Sequence, residues 1–417
     1  MPSSQYHFID ISQIRIGLYI HLDLGWMDHP FTFSNFKIKD TEQLAKIRET
    51  GLKKLRYDPK RSDCEPLPVG SSPEHIAMPA TEDVERTKQR RLRELHLAID
   101  ESEKKFLLAT QTVRQALRNL EEKPQASIEQ AQQLVNDIAH NVITEPDIAV
   151  HAVNGNRSAD ENYLHPLNVT MLSLMLCKSL SMIEADAKAI GMAAIFHDIG
   201  KAKIADAILL KETPLDEEEL AEMRKHCEYG AQMAKESGLS ERIGRVILQH
   251  HEYADGSGYP HQLKGTDIDP LARLIAIVSA YDNLCNPQHG GHALTPYEAL
   301  SHMFSHQRSK FDEWILKQFI KSLGVYPPGS VVQLSNGAHG IVISVNPNKP
   351  LKPFVMVHDP DKERDAPLVI DLRQEPSLAI NLCLRPHQLP PESLIYLNPR
   401  HRVSYFIDKD LAAGRSA

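Results

Sequence analysis

Residues 250–260 read HHEYADGSGYP, and this stretch, with two shorter ones, decides how the middle of the chain folds. The shorter stretches are HDIGK at 197–201 and HCEYG at 226–230. Imidazole nitrogens and carboxylate oxygens bind Zn, Mn, Fe or Ni, and an adjacent His-Asp pair can serve two metals through a bridging carboxylate. A single buried histidine is more often a core residue hydrogen-bonded to a carbonyl. Several metal-competent residues in three short motifs favour a metal centre instead.

The sequence around these motifs is typical of helices joined by short loops. Apolar residues recur at helical spacing in Met171–Leu180, Ala185–Phe196, Glu217–Lys235 and Leu271–Leu284. We therefore predict a mostly α fold with a helical catalytic domain at residues 125–325. A small α/β or α+β domain precedes this core, and a small β module follows it.

The N-terminal part of the chain changes character twice. Residues 1–62 combine short alternating runs with a helical pattern over Asp40–Thr50, which predicts an accessory domain. Residues 63–80 are rich in proline, glycine and serine, as a linker is. Residues 81–124 then predict one long amphipathic helix. This helix either packs along its own domain or forms a coiled-coil homodimer; we slightly favour the dimer, although polar and small residues weaken its heptads.

The C-terminal part predicts short strands. Alternating runs cover residues 331–334, 340–345 and 354–358, and the turn Ser335-Asn336-Gly337 separates the first two. We assign residues 326–417 to a small β module and tail.

Composition limits the classes of protein to be considered. The formal charge is −8 with a pI near 6.2, which disfavours binding to polymeric nucleic acid but not a local cationic pocket. The five cysteines form no CxxC pair and are expected to be reduced thiols. The sequence shows neither a membrane helix nor a signal peptide, so we expect a cytoplasmic protein with no membrane span.

The three motifs resemble those of the HD-GYP proteins, bacterial phosphodiesterases of the HD phosphohydrolase superfamily that degrade cyclic di-GMP. The resemblance covers residues 140–325 and is most specific in the HHExxDGSGYP element. It implies a helical HD-type core and hydrolysis of cyclic di-GMP to pGpG, with a second cleavage to GMP left open. Residues 17–56, which contain GWMDHPF, are similar to the domain that precedes the HD-GYP unit in one proteobacterial subgroup.

This resemblance implies a ligand set. His197 and Asp198 are the paired ligands, Asp198 bridges the metals, and His226, His250 and His251 complete most of the cluster. Two or three divalent ions are expected, with Fe, Mn or Ni preferred over Zn or Mg. Such ligands do not by themselves identify the metal.

The resemblance also implies residues that act on the substrate. Lys201 is similar to the lysine that neutralises the scissile phosphate, so Asp198 and Lys201 are the predicted catalytic residues; Lys201 could equally be a solvated helix-end charge. Gly256, Tyr259 and Pro260 belong to the signature loop and, with Lys201, are the predicted substrate-binding residues. In the family this loop is linked to binding of diguanylate-cyclase (GGDEF) domains. It could also be a simple tight turn, and both interpretations can hold.

A second pair lies upstream of the motifs. Glu161 and His165 are four positions apart, so a helix would place both on one face. Some HD-GYP proteins hold a third metal with a pair so spaced. The same spacing is also common in helix-surface contacts.

Two positions depart from the family pattern. Ser279 stands where an aspartate ligand is expected. Asp282 aligns with a second aspartate, which usually has a supporting role. We include Asp282 among the predicted metal residues, because it could compensate for the carboxylate missing at Ser279. Gln288 stands where an arginine normally holds the ligand's phosphates. Three residues could replace that cation: His289, His292 and Arg308.

Three functions therefore remain open. The preferred hypothesis is a metal-dependent phosphodiesterase acting on cyclic di-GMP. The main alternative is a degenerate HD-GYP module that binds cyclic di-GMP or a partner protein without turnover, which Ser279 and Gln288 favour and the intact histidines oppose. A hydrolase for another nucleotide is disfavoured, because general HD nucleotidases lack the GYP loop.

Overall fold

The computed structural model of the chain describes residues 7–22, 35–49, 52–67, 101–144, 148–153, 161–287, 291–345, 349–360, 368–375, 377–399 and 402–409. The chain divides into two compact units, Met1–Arg90 and Arg91–Ala417. Within the described residues, no helix combines the length and apolarity needed to cross a bilayer. The five cysteines are free thiols, as expected, and three of them are buried: Cys177, Cys227 and Cys285.

The N-terminal unit is a four-stranded antiparallel sheet with a helix packed on it. Its strands, in the spatial order β1-β4-β2-β3, are β1 (His7–Asp10), β2 (Tyr19–His21), β3 (Asn35–Lys37) and β4 (Lys54–Tyr57); the helix is α1 (Thr41–Glu49). Ile20 and Leu55 from the sheet and Ile47 from α1 are buried in one cluster. The predicted small α+β domain is confirmed, while the GWMDHPF motif lies outside the described residues.

The first residues of the predicted linker at 63–80 are hydrogen-bonded to this unit. The backbone N–H of Asp63 donates to the carbonyl of Gly17, and that of Leu67 donates to the carbonyl of Gln13, both at 2.9 Å. Residues 68–80 lie outside the described residues, so that part of the linker stays a prediction.

The long helix predicted for residues 81–124 is described from residue 101 onward. Residues 101–119 are helical and are called α2, and α3 spans Pro124–Thr144. Phe106, Val113 and Ala116 on α2 are fully buried in the chain's own core. In this segment, the face that a coiled-coil partner would need is therefore covered by the same chain. Dimerisation through residues 81–100 stays a prediction, because they lie outside the described part.

The helical core follows and positions the site. Its helices are α4 (Glu161–Ser179), α5 (Glu184–Phe196), α6 (Asp206–Leu209), α7 (Glu217–Arg224), α8 (His226–Glu236), α9 (Glu241–Gln249), α10 (Pro270–Cys285), α11 (Pro296–His306) and α12 (Glu313–Leu323). Most residues of α10 are apolar and buried. A helix that is apolar on all sides must be covered by its neighbours. Both α4 and α5 pack against α10, and several polar residues of α4 and α10 are buried inside the domain: His165, Asn168, Ser279 and Asp282. The predicted mostly α fold is confirmed.

The predicted helical segment Glu217–Lys235 is two helices in the structure. Lys225 separates α7 from α8, and its ψ of −12° is less negative than the ψ of a regular α-helix. The carbonyl of Met223 accepts a hydrogen bond from Nδ1 of His226 at 2.7 Å. The break therefore places His226 at the start of α8, with its ring held against the preceding turn.

The C-terminal module is an antiparallel sheet that includes one strand from the helical part of the chain. The described strands are β5 (Ile148–Val153), β6 (Val331–Leu334), β7 (His339–Val345), β8 (Phe354–Val357), β9 (Leu368–Asp371), β10 (Ile380–Leu384) and β11 (Ser404–Lys409), and α13 spans Pro391–Leu397. The three predicted strands are β6, β7 and β8, and Gly337 between the first two has a φ of +86°. The unexpected member is β5, which precedes α4 and pairs with both β7 and β11.

Packing of α2 within its own chain predicts the effect of truncating its buried face. Phe106→Ala should lower the free energy of unfolding by about 3–5 kcal/mol, because it leaves a cavity in the core. The matched change Leu108→Ala, at a position that is 65% exposed, should cost less than about 0.5 kcal/mol. Denaturant unfolding at several protein concentrations measures both. A Phe106→Ala cost that grows with protein concentration would instead indicate a dimer seam.

Candidate metal centre

His197 and Asp198 lie where α5 ends and the chain enters a 3-10 helix. His197 is fully buried. A Cβ on Gly200 would lie 2.0 Å from the carbonyl oxygen of His226 and 2.4 Å from the backbone nitrogen of Gly230. Such distances are below any normal contact, so only glycine permits this close approach to α8. The approach brings His226 beside Asp198.

His226, His250 and His251 reach the same point from two other helices. His226 is the first residue of α8, while His250 and His251 directly follow α9. His226 is 1% exposed and His250 is fully buried. Placement at helix ends lets these side chains converge while the helix bodies pack beside one another.

The carboxylate of Asp198 lies between two sets of imidazole nitrogens. Its Oδ2 is 3.4 Å from Nε2 of His197 and 3.7 Å from Nε2 of His165. Its Oδ1 is 3.4 Å from Nε2 of His226 and 3.8 Å from Nε2 of His250. Each oxygen therefore faces a different set, which is the arrangement that a bridging carboxylate requires.

Hydrogen bonds fix which ring nitrogen carries the proton. The Nδ1 atoms of His197, His226 and His250 lie 2.6–2.7 Å from the carbonyl oxygens of Ala194, Met223 and Ile247, respectively. A carbonyl only accepts, so each Nδ1 carries a hydrogen and each neutral ring has a bare lone pair on Nε2. The Nε2 atoms of His226 and His250 are nevertheless 3.2 Å apart. Two lone pairs at that distance repel each other unless a cation lies between them.

Two groups of ligand atoms therefore converge around Asp198, with the atoms of each group within 4.8 Å of one another. One group is His165, His197 and Asp198, and the other is Asp198, His226, His250 and His251. Neutral imidazoles with free Nε2 lone pairs and a shared carboxylate fit two divalent transition-metal ions. This donor chemistry suits Fe, Mn, Ni or Zn alike.

Burial keeps the imidazoles in the form that binds metal. It lowers the pKa of His197 to about 4, against the opposing attraction of Asp198. Burial also lowers the pKa of three further rings: His226, His250 and His251. For Asp198 burial acts to raise the pKa, but the Lys201 ammonium group opposes burial, and the pKa lies well below its usual range. The site at neutral pH thus consists of neutral rings around one carboxylate.

Lys201 faces this carboxylate directly. Its Nζ is 2.7 Å from Oδ2 of Asp198, and its side chain is 25% exposed. The ammonium group therefore lies at the boundary between the ligand atoms and solvent. This position supports a role toward an anionic ligand more than that of a solvated helix-end charge.

The predicted third-metal pair is only half described. Glu161 is the first residue of α4, one turn before His165, but its side chain lies outside the described residues. Nε2 of His165 is 3.2 Å from Nε2 of His197, so the structure places His165 with the first ligand group. The third metal stays a prediction.

Asp282 lies behind His165 rather than among the converging ligand atoms. Its Oδ2 accepts a hydrogen bond from Nδ1 of His165 at 2.6 Å, and its Oδ1 accepts from the side-chain amides of Asn168 and Asn286. This placement favours a supporting role for Asp282 over direct ligation. Ser279 lies on the ligand-atom side of the same ring, with its Oγ 3.4 Å from Nε2 of His165. The hydroxyl thus occupies the side of the site where the family pattern has a carboxylate.

The signature loop folds back onto a buried carboxylate. Glu252 is 1% exposed, and its two oxygens accept the backbone N–H groups of His261 at 2.6 Å and Leu263 at 2.9 Å. A Cβ on Gly258 would lie 2.4 Å from the carbonyl oxygen of His251. Glu252 and Gly258 together hold the loop against the metal ligands.

Of the predicted substrate-binding residues of this loop, Tyr259 lies beside His251. The Tyr259 ring stacks on the His251 ring, with centroids 4.7 Å apart. The guanidinium carbon of Arg224 lies 5.2 Å from the centre of the Tyr259 ring. Gly256 has a φ of +82°, which favours glycine, and Pro260 is partly exposed. This surface offers an aromatic face and a cation next to the ligand atoms.

The structure describes two of the three residues that could replace the missing arginine, His292 and Arg308. Gln288 and His289 lie outside the described residues. His292 is exposed, and Arg308 forms an ion pair with Glu313.

Sequence reasoning missed four residues that shape the site: Asn168, Arg224, Glu252 and Asn286. Glu252 stands inside the HHExxDGSGYP motif, and that position was the available signal. Asn168 and Asn286 carry no local signal, because their partners are distant in the sequence, except for Asp282, which lies four residues before Asn286.

Three family models match the chain in succession. A domain of unknown function (DUF3391) matches residues 6–150, the HD domain matches residues 113–315, and the KOW domain associated with HD domain matches residues 331–390. The HD-domain match includes every residue of the two ligand groups.

Several bacterial phosphodiesterases are similar to the chain over different shares of its length. A cyclic di-GMP phosphodiesterase of Pseudomonas aeruginosa is 28% identical over 356 residues, which is 84% of this chain and 84% of that protein. The cyclic di-GMP phosphodiesterase response regulator RpfG of Xanthomonas campestris is 35% identical over 33% of this chain and 37% of its own length. A 3'3'-cGAMP-specific phosphodiesterase of Vibrio cholerae is 37% identical over 30% of this chain and 24% of its own.

A solved structure of an HDG"Y"P protein from Bdellovibrio bacteriovorus aligns with a TM-score of 0.41 and 18% identity, covering 76% of this chain and 98% of that one. That likeness is too weak to carry a conclusion. The family matches and the site motifs agree: residues 113–315 form an HD domain that contains the His-Asp pair at 197–198 and the Gly-Tyr-Pro signature at 258–260, and a DUF3391 domain matches the N-terminal part of the chain.

The close approach at Gly200 predicts the result of adding a single methyl group. Gly200→Ala should lower the free energy of unfolding by about 1–3 kcal/mol or more, because the new Cβ meets rigid backbone. It should also reduce the retained metal by separating Asp198 from His226. Gly244→Ala is the matched control, since its Cβ would meet nothing nearer than 3.9 Å. That control should be neutral or stabilising within about 1 kcal/mol. Wild-type metal content in Gly200→Ala, measured by elemental analysis, would contradict this account.

Proposed function

We propose that this chain is a metal-dependent phosphodiesterase that hydrolyses cyclic di-GMP to pGpG, with GMP as the product of a second cleavage. The observation that carries the proposal is the position of Asp198, whose two oxygens face separate sets of bare Nε2 atoms. The names of the relatives support the substrate class, since those of P. aeruginosa and X. campestris are both cyclic di-GMP phosphodiesterases.

The ligand groups would hold two divalent ions, which supply Lewis acidity and lower the pKa of a water beside the phosphorus. The residues of the chain prepare the rest of the site. Neutral, buried imidazoles keep their lone pairs directed inward, and Asp198 keeps its negative charge at neutral pH. Lys201 adds a cation at the solvent-facing side, where it would stabilise charge on the phosphate oxygens as attack proceeds.

The loop beside the ligands fits the remaining parts of a guanine dinucleotide. The Tyr259 ring offers a flat face, and the Arg224 guanidinium lies near it. A planar cation of this kind binds phosphate oxygens in pairs or stacks on a base. We infer that Arg224 takes over part of the phosphate binding that Gln288 does not provide.

Finer expectations belong to the same proposal. A cytoplasmic location follows from a role in second-messenger turnover. The loop of Gly256, Tyr259 and Pro260 is also the surface where the family resemblance places diguanylate-cyclase partners.

The experiment that tests the function is turnover of cyclic di-GMP by the purified chain supplied separately with Mn, Fe or Ni. Chromatography separates pGpG from GMP, and 3'3'-cGAMP serves as the competing substrate. Asp198→Ala should abolish turnover and release metal, because it removes the shared ligand. Asp206→Ala changes an exposed aspartate on α6 and should leave both properties unchanged.

Each alternative has its own outcome in this assay. Cyclic di-GMP binding without turnover under every metal would make the chain a receptor, and the phosphodiesterase proposal would fail. Turnover confined to another nucleotide would show that the substrate assignment is wrong. Turnover that persists in Asp198→Ala would refute the bridging role of this residue.

The position of Ser279 predicts a gain of metal affinity. Ser279→Asp places a carboxylate near Nε2 of His165, where the hydroxyl is now 3.4 Å away. The added anionic donor should increase the affinity for the metal held by His165, His197 and Asp198 on the order of tenfold. Ser279→Ala should match the wild type, since a neutral hydroxyl is a poor ligand. Chelator competition measures all three proteins. Weaker binding by Ser279→Asp would show that this side of the site has no room for a ligand.

A further inference from the structure

A buried chain of polar contacts leads away from His165. Nδ1 of His165 donates to Oδ2 of Asp282 at 2.6 Å, and the side chain of Asp282 is fully buried. Oδ1 of the same carboxylate accepts the side-chain N–H groups of Asn168 at 2.8 Å and Asn286 at 2.9 Å. Asp282 is therefore held through both of its oxygens.

The two asparagines are fixed in turn by the start of the last strand. Each side-chain amide donates to the carbonyl of Val403, at 3.0 Å from Asn168 and 2.9 Å from Asn286. The side-chain oxygen of Asn286 accepts the backbone N–H of Val403 at 2.9 Å, and that of Asn168 accepts the backbone N–H of Tyr405 at 3.1 Å. Both amides thus have a single favourable orientation, with one N–H toward Asp282 and the other toward the strand.

The strand that completes this network lies outside the region matched by the HD-domain model, which ends at residue 315. It pairs with β5, immediately before α4, and α4 carries both His165 and Asn168. A second contact joins α10 to the same strand, where the hydroxyls of Tyr281 and Tyr405 are 2.8 Å apart. The asparagine contacts connect the strand to His165 through Asp282. The tyrosine contact joins the same strand to α10 without reaching His165, so it serves as a comparison.

We propose that residues 403–405 of the C-terminal strand act through Asn168, Asn286 and Asp282 as positioning residues that hold His165 in its metal-binding orientation. Hydrogen bonds behind a histidine ligand fix its tautomer and ring angle and are typically worth about 10–100-fold in metal affinity. The metal affinity of the His165 group therefore depends on a strand about 240 residues away in the sequence. The proposal rests on the metal centre and does not require that cyclic di-GMP be the substrate.

The test compares two variants of the full chain that each change one side chain in contact with this strand. Asn286→Ala removes one of the two amide links between the strand and Asp282, and Tyr281→Phe removes only the hydroxyl pair. Mn²⁺ binding is measured by chelator competition, and the unfolding free energy of the metal-free chain is measured by denaturant. Asn286→Ala should lower the binding affinity for one of the two Mn²⁺ ions about 10–100-fold and leave the affinity for the other within about twofold of the wild type. Tyr281→Phe should lower stability while both affinities stay within about twofold of the wild type.

Either of two results would overturn the proposal. One is wild-type Mn²⁺ affinity at both positions in Asn286→Ala. The other is an equal loss of affinity in Tyr281→Phe, which would show that any loosening of the strand weakens the site. Turnover is recorded separately, so a chain that binds two ions but cleaves no cyclic di-GMP would refute the proposed function and leave this inference standing.

A second measurement needs no variant and covers the case in which Asn286→Ala does not fold. Coupling between two sites is reciprocal, so if the strand supports metal binding then metal must stabilise the strand. Hydrogen exchange of the wild-type chain should slow at residues 403–405 when Mn²⁺ is added, while β9 at Leu368–Asp371 should not change. Equal exchange at residues 403–405 with and without Mn²⁺ would refute the coupling.

Discussion

The carboxylate of Asp198 lies between two sets of bare imidazole nitrogens, and the rest of the domain is arranged so that it can stay there charged. Burial by itself raises the pKa of this carboxyl and so favours the neutral acid, which is a poor metal ligand. The Lys201 ammonium group opposes that cost. The rings themselves stay neutral because burial disfavours their charged forms and backbone carbonyls hold their Nδ1 hydrogens. Charge, tautomer and burial are therefore one linked condition.

That condition constrains the backbone. The ligands come from four places in the sequence, so the ends of several helices must meet within a few ångströms. Gly200 permits one such meeting by letting the turn after Asp198 touch the first turn of α8. At Lys225 the chain passes from α7 to α8, so His226 stands at the first position of a new helix. The apolar helices α5 and α10 provide the buried frame that holds these ends in place.

The sequence predicted those parts of the site whose determinants are local. The histidine motifs, the helical core and strands β6 to β8 follow from residue types and spacing within short windows. It did not predict β5, Asn168 or Asn286, because each is defined by partners more than 100 residues away. An asparagine inside an apolar helix has no characteristic pattern, and the distant strand that satisfies its amide is visible only once the chain is folded. Glu252 was missed for another reason: its acceptor role depends on a loop that returns to it.

The two ligand groups are unequal, and the inequality explains why the C-terminal strand is built into the site. One group has three residues and the other has four, with Asp198 shared between them. Ser279 offers the smaller group a neutral hydroxyl where a carboxylate would add charge. Because this group has fewer donors, we expect its metal affinity to depend more on the orientation of His165 than the affinity of the larger group depends on any one histidine. Asp282, fixed by two asparagines and the strand at Val403, restricts that ring. A rigid support behind the ligand thus offsets in part the charge missing in front of it.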